Sequence, residues 1–258
     1  MKHLIIGSGT VGKATGIWLQ AHNQDVTFLD KDIDVVSKLK KEGHKTQRSV
    51  TSNEWYDYDM LWICTHEKDV ESVLEELKEL PHPVIVRSTT SPGSVAKYAK
   101  DYSIQNLVHI PEFLKEATSI HDMFNPDHHI IGITQSTDIP TRNLIQKIFS
   151  GHDAPTMWTN STMSELVKLV ANNWLATQIS FWNDIQKLCS SMNMNGQAIA
   201  DAVTTDKRIS KYGSIMIGKP FKGMCLPKDL DALISVFTCN NIEPKLLKAV
   251  RDINADME

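Results

Sequence analysis

The stretch His3-Leu4-Ile5-Ile6-Gly7-Ser8-Gly9-Thr10-Val11-Gly12 decides the fold. An apolar run of strand character, residues 3–6, enters a Gly7-x-Gly9-x-x-Gly12 turn, and residues 11–21 then take up helical spacing. In such a turn the first glycine permits the tight bend and the second lets backbone approach a pyrophosphate. The third lets helix and strand pack closely. A second strand over residues 25–29 delivers Asp30 to its end, where a carboxylate can accept hydrogen bonds from a ribose diol and would repel a 2′-phosphate. Gly7, Gly9, Thr10, Val11, Gly12 and Asp30 are therefore the expected cofactor-binding set, and the expected cofactor is NAD rather than NADP. The bland alternative is a glycine turn with a solvated aspartate beside it.

Working outward, strand and helix signals alternate. A lysine-rich helix is expected over 33–42, and buried strands of the parallel kind over 59–65 and 83–88. Further strands are expected over 107–110 and 129–133. This alternation predicts an α/β fold with a doubly wound, Rossmann-type sheet. Near residue 157 the character changes. Thr162-Met163-Ser164-Glu165 has the form of a capping box, and no helix breaker follows until well past Cys189. One helix of about 27 residues, or about 40 Å, is predicted. Its apolar residues cover most of its circumference, so burial nearly all round is expected, by its own domain and by a second subunit. The rest reads as helices and loops. The expected domains are 1–157, binding the dinucleotide, and 158–258, an all-helical dimerisation and substrate domain.

Composition narrows the classes of function. The 258 residues are 41% hydrophobic and 22% charged, with formal net charge −4, and no basic run suits nucleic acid. The cysteines Cys64, Cys189, Cys225 and Cys239 form no C-x-x-C pair and no zinc-ligand spacing, so no metal is expected and the thiols read as reduced. His128-His129 do not alter that. Apolar stretches are too short to cross a bilayer, and the expectation is a soluble cytoplasmic protein.

The second half holds a possible nucleophile. In Gly223-Met224-Cys225-Leu226-Pro227-Lys228-Asp229, Pro227 suits a first helical turn, and Leu230, Leu233, Ile234 and Phe237 continue the helical spacing. Cys225 thus falls at a helix start, where free N–H groups and the helix dipole favour a thiolate. Asp229 lies one turn on. Lys168 and Asn172 stand at i and i+4, on one face of the long helix. Each has a plainer reading: a small buried apolar cysteine, a lysine snorkelling to solvent, an asparagine bonded to a neighbouring helix. Glu112 and Glu116 alone read as solvated helix-start carboxylates, and Thr89 as a strand-end cap. Trp174 and Trp182, two turns apart, read as dimer or core packing, and Cys64, Cys189 and Cys239 as core filling.

Five segments in order carry a resemblance to a known family: the glycine loop, Arg87-Ser88-Thr89-Thr90-Ser91-Pro92-Gly93, Pro111-Glu112-Phe113-Leu114-Lys115-Glu116, residues 165–188 with Lys168 and Asn172, and the Cys225 segment. Together they make the chain resemble the UDP-glucose/GDP-mannose dehydrogenases from end to end. The resemblance implies a Rossmann domain, a long central helix forming a homodimer, and four-electron oxidation of a sugar primary alcohol to a carboxylate, as in polysaccharide biosynthesis. It implies Cys225 as the nucleophile forming a thiohemiacetal and then a thioester, with Lys168 and Asn172 holding the oxyanion. Asp229 and Thr89 would order a water, and Glu116 would be the base for thioester hydrolysis. Glu112 would orient Lys168 or the substrate, and Arg208 would reach the neighbouring subunit's substrate site.

The chain departs from that pattern in three places. It ends at Glu258, ahead of the family's nucleotide-sugar-binding third domain, so a short form is expected. Cys64-Thr65-His66-Glu67 replaces a proline-containing turn. Gly218-Lys219-Pro220-Phe221-Lys222-Gly223 has fewer glycines than usual and an extra lysine, Lys222. Two other functions stay open: a two-electron enzyme resembling the β-hydroxyacid dehydrogenases, acting on a smaller substrate without need of a cysteine, and a non-catalytic NAD-binding subunit.

Overall fold

The computed structural model describes residues 1–51 and 53–257, which gather into two compact units, Met1–Lys168 and Leu169–Glu258. The first is built on the strands β1 (Lys2–Ile6), β2 (Asp25–Leu29), β3 (Lys45–Gln47), β4 (Met60–Ile63), β5 (Val84–Val86), β6 (Leu107–His109), β7 (His129–Ile133) and β8 (Thr156–Asn160). They form one sheet in the order β3-β2-β1-β4-β5-β6-β7-β8. Every neighbouring pair is parallel except β6 and β7. Strand order reverses between β1 and β4, and ligands of open parallel sheets bind beyond the carboxyl ends at such a point. The doubly wound expectation holds.

Both faces of the sheet are covered, which explains the uninterrupted apolar strands. Leu4 and Ile6 pack on one side with Val70 and Leu74 of α3 (Glu67–Glu76) and Val95 and Ala99 of α4 (Ser94–Asp101). Ile5 faces the other side, with Trp18 of α1 (Thr10–Ala21), Leu39 of α2 (Ile33–Lys41), Met123 of α5 (Ser119–Phe124) and Ile145 of α6 (Ile139–Phe149).

The long helix α7 runs Ser161–Ser191, 31 residues against the 27 expected. Its start corrects the capping-box reading. Asn160 supplies the cap, its Oδ1 accepting from Met163 N at 2.8 Å. The Glu165 carboxylate is committed elsewhere. Within the single chain one side of α7 is buried, with Leu169, Ala176, Ile179 and Trp182, while Leu166, Val170, Trp174, Phe181 and Leu188 stay exposed along the other. The two compact units divide inside α7, later than the expected boundary at 157, because its first turns pack on the sheet. There Ser164 and Ser161 lie so close to Gly132 that a Cβ would collide with them.

In the second unit, α8 (Gly196–Val203), α9 (Leu226–Cys239) and α10 (Lys245–Ala255) follow the remainder of α7. Leu169, Ala176, Ile179, Phe221, Leu230, Leu233, Leu247 and Val250 form its core. Cys239 is exposed, not core filling as expected, while Cys189 is buried. Among the described residues no helix is long and apolar enough to cross a membrane.

Candidate active site and cofactor cleft

The glycine loop is shaped by close approach. Gly7 has φ +85°, and a Cβ there would meet Thr65 N at 2.8 Å. A Cβ on Gly12 would run into the Gly7 carbonyl, so α1 can start against β1 only without a side chain there. Gly9 differs: a Cβ would point into open space, on the side from which a pyrophosphate reaches the helix N-terminus. The Asp30 carboxylate braces the loop by accepting from Ser8 N at 2.7 Å and Asp32 N at 2.9 Å. A cavity of about 470 Å³ opens over these groups, lined by Gly7, Gly9, Asp30, Arg48, Trp55 and Thr65 among others. A second, of about 290 Å³, joins Ser8, Gly9, Thr10 and Lys13 to Glu116. The cradle and the acidic residue at the end of β2 fit NAD. Glu116 is exposed and faces this loop rather than solvent alone.

Lys168 does not snorkel. Only 5% exposed, it forms an ion pair with Glu112 Oε1 at 2.9 Å and donates to the Glu112 carbonyl at 2.6 Å. Its ammonium also lies 5.3 Å from the Phe113 ring centroid. Glu112 Oε2 accepts from Leu114 N, which fixes the Pro111–Glu116 turn. Thr89 is half-buried between two tethered neighbours. Ser88 Oγ donates to the Thr65 carbonyl at 2.6 Å, and Thr90 Oγ1 donates to Glu165 Oε1 at 2.8 Å.

In the helical unit, Cys225 is the N-cap residue of α9 and is exposed. Pro227 falls in the first helical turn, as expected. Asp229, 1% exposed, accepts from Asn172 Nδ2 at 2.5 Å and pairs with Lys228 at 2.9 Å. Its carbonyl accepts from Asn173 Nδ2. Asn172 and Asp229 are thus brought together beside the start of the Cys225 helix. Cys64 differs from the exposed Cys225 in its surroundings: burial pushes the Cys64 thiol up to about 12. Arg208 is exposed and paired with Asp206 of its own loop, apart from these groups in its contacts.

Glu165 is the residue that sequence reasoning misplaced. Its Thr-x-x-Glu spacing fits a local cap, and nothing in the sequence says that a carboxylate is needed at the start of α4.

A doubly wound sheet with a glycine-rich first turn, an acidic residue ending β2 and an appended helical unit defines a dinucleotide-binding dehydrogenase fold. The comparisons give the family. Residues 50–152 match the NAD binding domain and residues 162–256 the central domain of the UDP-glucose/GDP-mannose dehydrogenase family. The chain belongs to that family of NAD-dependent dehydrogenases. Residues 3–89, which include the glycine loop, also match ketopantoate reductase PanE/ApbA. The UDP-glucose 6-dehydrogenase of Rickettsia prowazekii is 29% identical over 97% of this chain and 66% of its own length. The chain therefore spans about two thirds of that relative. The UDP-glucose dehydrogenase of Pyrobaculum islandicum superposes with a TM-score of 0.88 at 23% identity, over 99% of this chain and 68% of its own. A 3-hydroxyisobutyrate dehydrogenase of Mycobacterium tuberculosis shares the fold at 14% identity and TM-score 0.78, over 99% of this chain and 92% of its own.

Proposed function

We propose that this chain catalyses the four-electron oxidation of a primary alcohol on a nucleotide sugar to the carboxylate. The observation that carries the reading is the exposed Cys225 at the start of α9, with the buried Asp229–Asn172 pair one turn along. Bound NAD supplies the two-electron acceptor, once for alcohol to aldehyde and once more for the oxidation to the acid level. The Cys225 thiolate, favoured by the helix start, adds to the aldehyde carbon to form a thiohemiacetal. Loss of hydride from that carbon gives a thioester, and water releases the carboxylate and restores the thiol. Lys168, paired with and oriented by Glu112, and Asn172 are assigned to the developing oxyanion. Thr89 and Asp229 order the water, and Glu116 takes its proton during hydrolysis. Glu112 and Arg208 are assigned to substrate binding.

The exposed apolar stripe of α7 is assigned to a second copy of this chain, as the family resemblance implies. The fold match to a dehydrogenase of nearly this chain's length keeps a two-electron reading in play, but that chemistry leaves the cysteine at the helix start without a task.

NADH release with a panel of UDP- and GDP-sugars and sugar phosphates tests the proposal. Two NADH per product are expected; one would favour the two-electron reading, and none with any substrate the binding-subunit reading. Cys225→Ala should bind NAD with parent affinity and form no acid. Acid production at the parent rate by that variant would remove the covalent step.

A further inference from the structure

Glu165 is 1% exposed, and all its hydrogen bonds go to one place. Oε1 accepts from Thr90 Oγ1 at 2.8 Å and Val95 N at 2.9 Å, and Oε2 accepts from Gly93 N at 2.7 Å. Gly93 is the N-cap residue of α4 and is held at φ +92°. Its side chain offers no oxygen, so the first N–H groups of α4 have no cap of their own. Glu165 supplies that cap from another helix, and the positive end of α4 offsets part of the cost of burying the charge. Burial pulls the Glu165 carboxyl upward, and the three donors pull it back.

The loop closed in this way is residues 88–93, which contains Thr89. At its near end Ser88 is anchored to the Thr65 carbonyl. At its far end the anchors are Thr90, Gly93 and Val95, all on one carboxylate. Lys168 follows Glu165 by three residues, on the same side of α7, and reaches Glu112.

We infer that Glu165 is a positioning residue that sets the Thr89 loop and the start of α4 in register with the turn of α7 carrying Lys168. This rests on the reading of Thr89 and Lys168 given above. Glutamine cannot replace it, because it keeps only one acceptor oxygen and turns the other into an NH2 donor facing a group that itself donates. A displacement of about 1 Å in a group that holds substrate or water costs on the order of a hundredfold in rate.

The experiment compares Glu165→Gln, Glu165→Asp and Thr90→Val with the parent, using whichever sugar of the panel releases NADH. Glu165→Gln should lower kcat about a hundredfold while the NAD dissociation constant stays within twofold. Glu165→Asp, which keeps the charge, should recover at least tenfold. Thr90→Val, which removes one bond of three, should lose less than Glu165→Gln. Amide hydrogen exchange supplies a readout that needs no substrate: in Glu165→Gln, Gly93 and Val95 should exchange at least tenfold faster while β1 and α1 are unchanged. Parent-like exchange at Gly93 and Val95, or a fall in kcat matched by lost NAD affinity, overturns the inference. If the parent oxidises no substrate, the proposed function fails, and the exchange data alone decide the positioning role.

Discussion

Gly9 and Gly12 meet opposite demands three residues apart. Gly12 exists for packing, since any Cβ there would occupy the space of the Gly7 carbonyl. Gly9 faces open space and has φ −67°, a backbone any residue adopts, so its missing side chain serves something that approaches from outside. Two substitutions therefore separate fold from function. Gly12→Ala should destabilise the chain by about 3 kcal/mol through overpacking. Gly9→Val should leave the urea midpoint nearly unchanged while raising the NAD dissociation constant at least tenfold by calorimetry. Equal NAD affinity in Gly9→Val and parent would mean the pyrophosphate does not cross this turn. Asp30→Ala should narrow the preference for NAD over NADP, and an unchanged preference would mean another group reads the ribose. The packing demand on Gly12 was legible because it follows from local spacing. The partner of Lys168 was not legible from spacing: Glu112 lies in a distant turn, and residue types alone left both as solvent-facing charges.

At the scale of elements, long periodic or wholly apolar segments were legible and polar edges were not. Lys45-Thr46-Gln47 forms edge strand β3 with no buried side chain, so no apolar signal marked it. The other edge, β8, leaves Met157 exposed and runs directly into α7, so strand and helix signals merged near residue 157. The Thr162–Glu165 spacing misled because a capping box and a carboxylate sent to another helix look alike in sequence. What remains unpartnered at this scale is the α7 stripe, where Trp174 is 61% and Phe181 56% exposed. Such a stripe on a helix of 31 residues exceeds the scattered apolar exposure of an ordinary surface. Trp174→Glu places a charge in its middle. The parent should sediment as a dimer and Trp174→Glu as a monomer with unchanged far-ultraviolet dichroism. A monomeric parent at micromolar concentration would leave the stripe to a different partner.

Across the whole molecule, stability should depend on pH through histidines kept neutral inside the Rossmann unit. Burial lowers His3 to about 4, His109 to about 3 and His129 to about 4, and lowers His152 as well. Each ring is used as a neutral partner. His3 Nδ1 accepts from Trp62 Nε1 at 3.0 Å. His109 Nδ1 faces Ser164 Oγ at 2.7 Å, and that hydroxyl donates to the Ser161 carbonyl, so the ring nitrogen is the donor. His129 Nε2 and His152 Nδ1 share one proton across 2.9 Å, a contact that cannot survive if both rings are charged. Because the folded values lie below the ordinary value near 6.5, the unfolded chain binds more protons between about pH 6.5 and pH 4. The stabilisation is therefore complete above pH 6.5 and is lost as pH falls toward 4. For one such histidine the loss between pH 7 and pH 5 is on the order of 2 kcal/mol. Glu165, with its carboxyl raised, works against this trend, since protonation in acid favours the folded form, but it is one group against four. Urea titrations at pH 7 and pH 5 should show the midpoint falling steeply, and His129→Gln should flatten that slope. A midpoint unchanged between the two pH values would mean that the rings take up protons in the folded chain as readily as in the unfolded one, and the hydrogen bonds that assign their protons would have to be redrawn.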